Sequence, residues 1–152
     1  MAFDPSEIVR ISIEAGQAIM DVYESAEGIE VQTKNDDSPL TKADLAAHDV
    51  IVRGLASIEP HTPIVSEEGR VGNPMGSDES WLVDPLDGTK EFIKRNGMFT
   101  ANIALMKRQG SRWKPSFGAV HAPATKTTWF GGESTPATRI SDSISQTISR
   151  PK

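Results

Sequence analysis

Cysteine is missing altogether, which removes disulfide staples and thiolate metal sites from consideration. No apolar run approaches the ~20 residues that a membrane-spanning helix requires. The N-terminus also lacks the basic-then-apolar order of a secretory signal. These absences point to a cytoplasmic protein, held at most peripherally at the inner face of the membrane. An excess of positive charge is missing too: 16 Lys and Arg stand against 21 Asp and Glu, a formal net charge of −5. Polymeric nucleic acid is therefore a poor partner, because its binding rests on basic side chains that neutralise phosphates. A small phosphorylated ligand remains open, since bound cations reverse the local sign.

What is present suits one soluble domain. The 152 residues can bury roughly 70% of the unfolded surface. Asp4-Pro5-Ser6-Glu7 reads as a helix start, with an N-cap, proline at the first helical position and glutamate at the third. Ile8, Ile11, Ala15, Ala18, Ile19 and Val22 then recur at helical spacing to about Tyr23. Residues 34–39 are a polar loop. A second helix is predicted from near Thr41 through Leu45, Ala46, Val50, Ile51 and Leu55, ending before Pro60. Strands are predicted at 62–66, 81–84, 100–106, 117–121 and 127–130, with Gln109-Gly110 as a hairpin turn and a short helical segment at 90–93. Two helices followed by about five strands predict an α+β layer structure. Beyond Gly131 the chain is rich in Ser and Thr without periodicity, and reads as a poorly structured tail.

The chemistry concentrates at two strand ends. Trp81-Leu82-Val83 runs into Asp84-Pro85-Leu86-Asp87-Gly88-Thr89, so an apolar strand delivers two carboxylates to a turn. Pro85 biases Asp84 towards extended geometry, and Gly88 permits a sharp reversal. Asp87 reads equally as the N-cap of the helix that follows. Upstream, Thr62-Pro63-Ile64-Val65-Ser66 leads into Glu67-Glu68-Gly69, again acids at a strand exit. Two such ends suit a hard cation such as Mg²⁺, which takes oxygen ligands and retains water. The amides of Gly88 and Thr89 at a helix start would face a phosphate. Together these features suggest phosphoester hydrolysis.

The acidic elements, in this order and spacing, resemble the lithium-sensitive, magnesium-dependent phosphatase superfamily that includes inositol monophosphatase and fructose-1,6-bisphosphatase. Within it, Lys90-Glu91-Phe92-Ile93-Lys94-Arg95-Asn96-Gly97 and Asp37-Ser38-Pro39-Leu40-Thr41-Lys42-Ala43-Asp44 resemble the bacterial 3'(2'),5'-bisphosphate nucleotidases. The likeness extends to about Phe130.

It implies the first half of an αβαβα sugar-phosphatase fold: two helices packed on a mainly antiparallel sheet. By the same resemblance Glu67, Asp84, Asp87 and the Leu86 carbonyl would hold metal, and Gly88 and Thr89 would bind the scissile phosphate. Thr89 and Glu67 would position and activate the attacking water, and Asp44 would tune it or a further ion. The complete family site uses two or three Mg²⁺ ions. The implied reaction converts 3'-phosphoadenosine 5'-phosphate, a by-product of sulfate assimilation, to AMP and phosphate.

The chain departs from the family pattern in one large respect. Family members carry a second α/β domain, in which a Trp-Asp dipeptide opens a helix and adds a metal-ligand aspartate. Trp81, Trp113 and Trp129 are each followed by another residue. Residues 1–131 therefore read as a metal- and phosphate-binding domain, and 132–152 as a tail leading towards a second domain that the sequence lacks. The alternatives are an inositol monophosphatase-like phosphatase, or a non-catalytic fragment that binds cations and phosphate and self-associates through the face left bare.

Several residues have plainer readings. Thr41 as N-cap would make Thr41…Asp44 a variant capping box, which alone accounts for Asp44. Glu68 reads as an outer or solvated residue. His48 reads as half-buried packing, and His61 and His121 lack the neighbours of a zinc site. Lys90, Lys94 and Arg95 read as a solvated helix face.

Overall fold

The computed structural model describes residues 3–25, 38–142 and 144–148. The loop read at 34–37 and residues 149–152 of the tail lie outside them. The α+β reading holds. Helices α1 (Pro5–Ser25) and α2 (Pro39–Ile58) precede strands β1 (Ile64–Ser66), β2 (Gly69–Val71) and β3 (Glu79–Asp87). A short helix α3 (Thr89–Lys94) and strands β4 (Thr100–Gln109), β5 (Arg112–Ala122), β6 (Thr127–Gly132), β7 (Thr135–Ser141) and β8 (Ile144–Thr147) follow. The strands form one sheet in the order β2-β1-β3-β4-β5-β6-β7-β8. Every pair is antiparallel except β1 with β3.

Helix α1 begins where the sequence places it, with Asp4 Oδ1 accepting the Ser6 N–H at 2.9 Å. Ile8, Ile11, Ala15 and Ile19 are fully buried. Helix α2 begins ahead of the expected Thr41. Ser38 is its N-cap, with its side chain accepting the Thr41 N–H at 3.1 Å, and Pro39 occupies the first turn. Proline at the first helical position, with its N–H absent and φ preset, decides between the two hydroxyl residues. The buried stripe of α2 is Leu40, Ala43, Ala47, Ile51 and Leu55, which turns Leu45 outward at 44% exposure.

Both helices lie on one face of the sheet. Trp81 and Val83 of β3, Ala101, Ile103 and Leu105 of β4, and Phe117 and Ala119 of β5 point into the core beneath them. Because side chains alternate across a strand, the intervening residues form an outer face that carries no helix among the described residues. There Leu82 pairs with Ala104, Asn102 with Val120, and Val120 with Trp129.

The expectation of a poorly structured tail fails for Thr135–Ser141 and Ile144–Thr147, which form β7 and β8. Strand β7 folds back on β6, and β8 folds back on β7. Thr and Ile favour strands, but neither strand has a buried face, so hydrophobic alternation never marks them. Among the described residues, no helix is long and apolar enough to cross a membrane.

Candidate active site

The apolar pattern of Trp81-Leu82-Val83 fixes which way β3 faces: Trp81 and Val83 go inward, so Leu82 and Asp84 go outward. Asp87 lies three residues further on and in a regular strand would face inward. It does not, because the register slips by one residue between the pairs Asp84↔Asn102 and Asp87↔Thr100. A β-bulge of this kind inserts one extra residue and restores the following side chain to the opposite phase. Asp84 and Asp87 thus share the outer face, while Pro85 and Leu86 are buried between them. Asn102 stands across the bulge and donates from Nδ2 to Asp87 Oδ2 at 3.2 Å.

Glu67 reaches the same face from β1. The parallel register pairs Ser66 with Val83, and the Glu67 N–H donates to the Val83 carbonyl at 3.3 Å. Glu67 therefore lies next to Asp84, in the two-residue turn Glu67-Glu68 that joins β1 to β2. The Asp84 carboxylate accepts the Leu86 N–H, yet burial, followed by the charges of Glu67 and Asp87, raises its pKa from 3.8 to about 6. Its Oδ1 is buried without a hydrogen-bond partner. A shallow cavity of about 500 Å³ opens here, with Val65, Glu67, Leu82, Asp84, Asn102 and Val120 on its walls.

Gly88 turns the chain out of β3 with φ of 95° and ψ of 52°, a left-handed conformation that favours glycine. A Cβ at this position would lie 3.3 Å from both the Met98 carbonyl oxygen and Phe99 Cα. Gly88, rather than Asp87, is the N-cap of α3, and Asp87 ends β3 as an exposed carboxylate. Thr89 is exposed in the first turn of α3. This corner is anchored by Tyr23, Phe92 and Phe99, whose ring centroids lie 4.9–5.4 Å apart. Arg95 belongs to the anchor rather than to a solvated face. Its guanidinium stacks 4.0 Å from the Tyr23 ring centroid and donates to the Tyr23 carbonyl at 2.9 Å.

Asp44 is 3% exposed in α2. With Ser38 as N-cap it lies beyond the third helical position, so the capping-box explanation fails.

Sequence reasoning passed over three residues around the acids. His48 Nδ1 and Ser66 Oγ are hydrogen-bonded at 2.9 Å, and Ser66 Oγ accepts the Glu68 N–H at 3.3 Å. Asn102 is the third. Its signal was an amide in the middle of the apolar strand 100–106, whereas nothing local links His48 to Ser66. A second hollow, of about 570 Å³, lies between α1 and β5–β7 and contains none of Glu67, Asp84 and Asp87. His121 there is 4% exposed, bonded through Nδ1 to Thr128 Oγ1 at 2.8 Å, and lowered in pKa by burial. Enclosed and bonded through Nδ1, His121 is read as a packing residue.

The donors around Asp84 are all oxygens, which suits a hard divalent cation, and the orphaned Oδ1 amid like charges is what such an ion would relieve. Among the described residues, no three acidic or histidine side chains close on a single point. An ion here would therefore combine carboxylate with carbonyl and water oxygens, as Mg²⁺ does.

Solved structures share this architecture. CysQ from Bacteroides thetaiotaomicron, described as a bacterial member of the inositol monophosphatase family, superposes with a TM-score of 0.76 at 40% identity, covering 90% of this chain and 48% of that one. Inositol monophosphatase-II from Staphylococcus aureus also gives a TM-score of 0.76, covering 97% of this chain and 50% of that one; at 22% identity it shares the fold alone. The inositol monophosphatase family profile matches residues 5–147, and the chain belongs to that family. The 3'(2'),5'-bisphosphate nucleotidase CysQ of Salmonella typhimurium is 48% identical over 129 residues, 84% of this chain and 51% of that protein. Its counterpart from Escherichia coli K12 is 45% identical over the same shares. The chain spans about half the length of the curated relatives it matches.

Proposed function

We propose that this chain carries the acidic half of a Mg²⁺-dependent phosphomonoesterase of the 3'(2'),5'-bisphosphate nucleotidase type. The observation that supports it most is the bulge in β3, by which Asp84 and Asp87 share a face with Glu67. The metal- and phosphate-binding unit is residues 1–131, and the residues after it lead towards the remainder of a longer family fold. Glu67, Asp84, Asp87 and the Leu86 carbonyl would hold two or three Mg²⁺ ions between them rather than one shared ion, which when bound supply positive charge to the phosphate and to the leaving oxygen.

The other tasks fall to the chain's own groups. The amides of Gly88 and Thr89 orient the phosphate. The Thr89 hydroxyl and Glu67 position a water opposite the ester oxygen, and Glu67 accepts its proton. Asp44 tunes the water or a further ion. As the water oxygen bonds to phosphorus, the bond to the nucleoside 3'-oxygen breaks in line, and that oxygen takes up a proton from solvent to become the 3'-hydroxyl. 3'-Phosphoadenosine 5'-phosphate then yields AMP and inorganic phosphate.

The nucleotide is preferred to inositol 1-phosphate because relatives at 45–48% identity are named bisphosphate nucleotidases. Phosphate release from both substrates, with and without Mg²⁺, tests the reading. Metal-dependent release from the nucleotide, reduced about 100-fold or more in Asp84→Asn on the scale of losing a transition-state charge contact, is the expected result. Unchanged turnover in that variant would remove Asp84 from the site. Mg²⁺ binding without turnover would leave the second reading, a chain that binds cations and phosphate without catalysis.

A further inference from the structure

We propose that His48 is a positioning residue for the Glu67-Glu68 turn, holding it in register with Asp84 through Ser66. The inference rests on the metal-site reading of Glu67 but adds a residue on a different element. Ser66 is the last residue of β1 and points inward, the opposite way from Glu67, because its partner Val83 is a core residue. On that inner side it meets α2, where His48 Nδ1 lies 2.9 Å from Ser66 Oγ. The same Oγ accepts the Glu68 N–H at 3.3 Å. One hydroxyl thus ties the helix to the backbone of the acidic turn.

The turn is also held by the Glu67 N–H on the Val83 carbonyl, and it joins two short strands. Strand β2 beyond it is three residues long, fully exposed, and at the edge of the sheet. On its other side, β1 is also only three residues long. By contrast α2 is rigidly seated, with Ala47 and Ile51 on either side of His48 fully buried. A short edge hairpin that carries a metal-site carboxylate takes its position from the most rigid element it touches. Supporting groups of this kind typically change metal affinity by roughly 10–100-fold when removed.

The test compares His48→Leu, His48→Asn and Ser66→Ala with the parent chain. Asparagine keeps a polar atom near the place of Nδ1, whereas leucine removes it. Two readouts are taken on each protein: Mg²⁺ affinity by titration calorimetry, and hydrogen exchange of the Glu68 amide by NMR. The proposal expects His48→Leu and Ser66→Ala to weaken Mg²⁺ binding on the order of tenfold and to speed Glu68 exchange, while His48→Asn restores most of both. Failure of asparagine to rescue, or unchanged Glu68 exchange in both disrupting variants, overturns it. If the parent chain binds no Mg²⁺, the metal reading falls, and Glu68 exchange alone then decides whether His48 positions the turn. Should His48→Leu not fold, Ser66→Ala carries the same comparison.

Discussion

Asp84 is pulled in two directions. The Leu86 N–H favours its charged form, while burial and the neighbouring Glu67 and Asp87 oppose it more strongly. With its folded pKa raised from 3.8 to about 6, the metal-free fold binds this proton more tightly than the unfolded chain. Its stabilising contribution is therefore complete below the unfolded pKa and lost as pH rises through about 6. An asparagine in its place would carry no such dependence. In chelator-treated protein, Asp84→Asn should melt close to the parent near pH 4 and above it near pH 7, with the gap opening between (roughly the titration window). Added Mg²⁺ should raise the parent melting temperature at neutral pH and leave the variant nearly unmoved. A gap independent of pH would show that Asp84 titrates normally.

At the scale of elements, α1 was legible because cap, proline and apolar stripe all agree within one stretch of chain. The start of α2 was read three residues late, at Thr41, although Pro39 directly after Ser38 already marks Ser38 as the cap, since proline suits the first helical position. Ser38→Ala removes the acceptor for the Thr41 N–H and should cost about 1 kcal/mol in urea unfolding. A cost near zero would return the cap to Thr41. The strands under the helices were readable from alternation. The strands β7 and β8 were not, because a strand solvated on both faces has no pattern to display. The bulge in β3 was equally hidden, since it is a count against the partner strand rather than a property of Asp84-Pro85-Leu86-Asp87.

At the scale of the molecule, and among the described residues, an eight-stranded sheet carries its two long helices on one face. The other face exposes Leu82 at 49%, Val120 at 38% and Trp129 at 38%, beside the acidic cluster. Contiguous apolar surface of this kind favours association, so the purified chain is expected to self-associate through this face. Sedimentation should show association that grows with concentration, and the double variant Leu82→Lys with Trp129→Lys should shift it towards monomer. A parent that stays monomeric at high concentration would rule this out.

The amino-acid order by itself determined the kinds of group available: oxygen donors without thiolates, apolar strands running into acids, and a left-handed corner at Gly88. It determined the family as well, because those groups recur at recognisable spacing along the chain. Only the tertiary structure decided which carboxylates share a face and that His48 reaches Ser66. The physical reason is that spacing along a chain is covalent, whereas facing depends on register with a partner strand and on the helix packed above it.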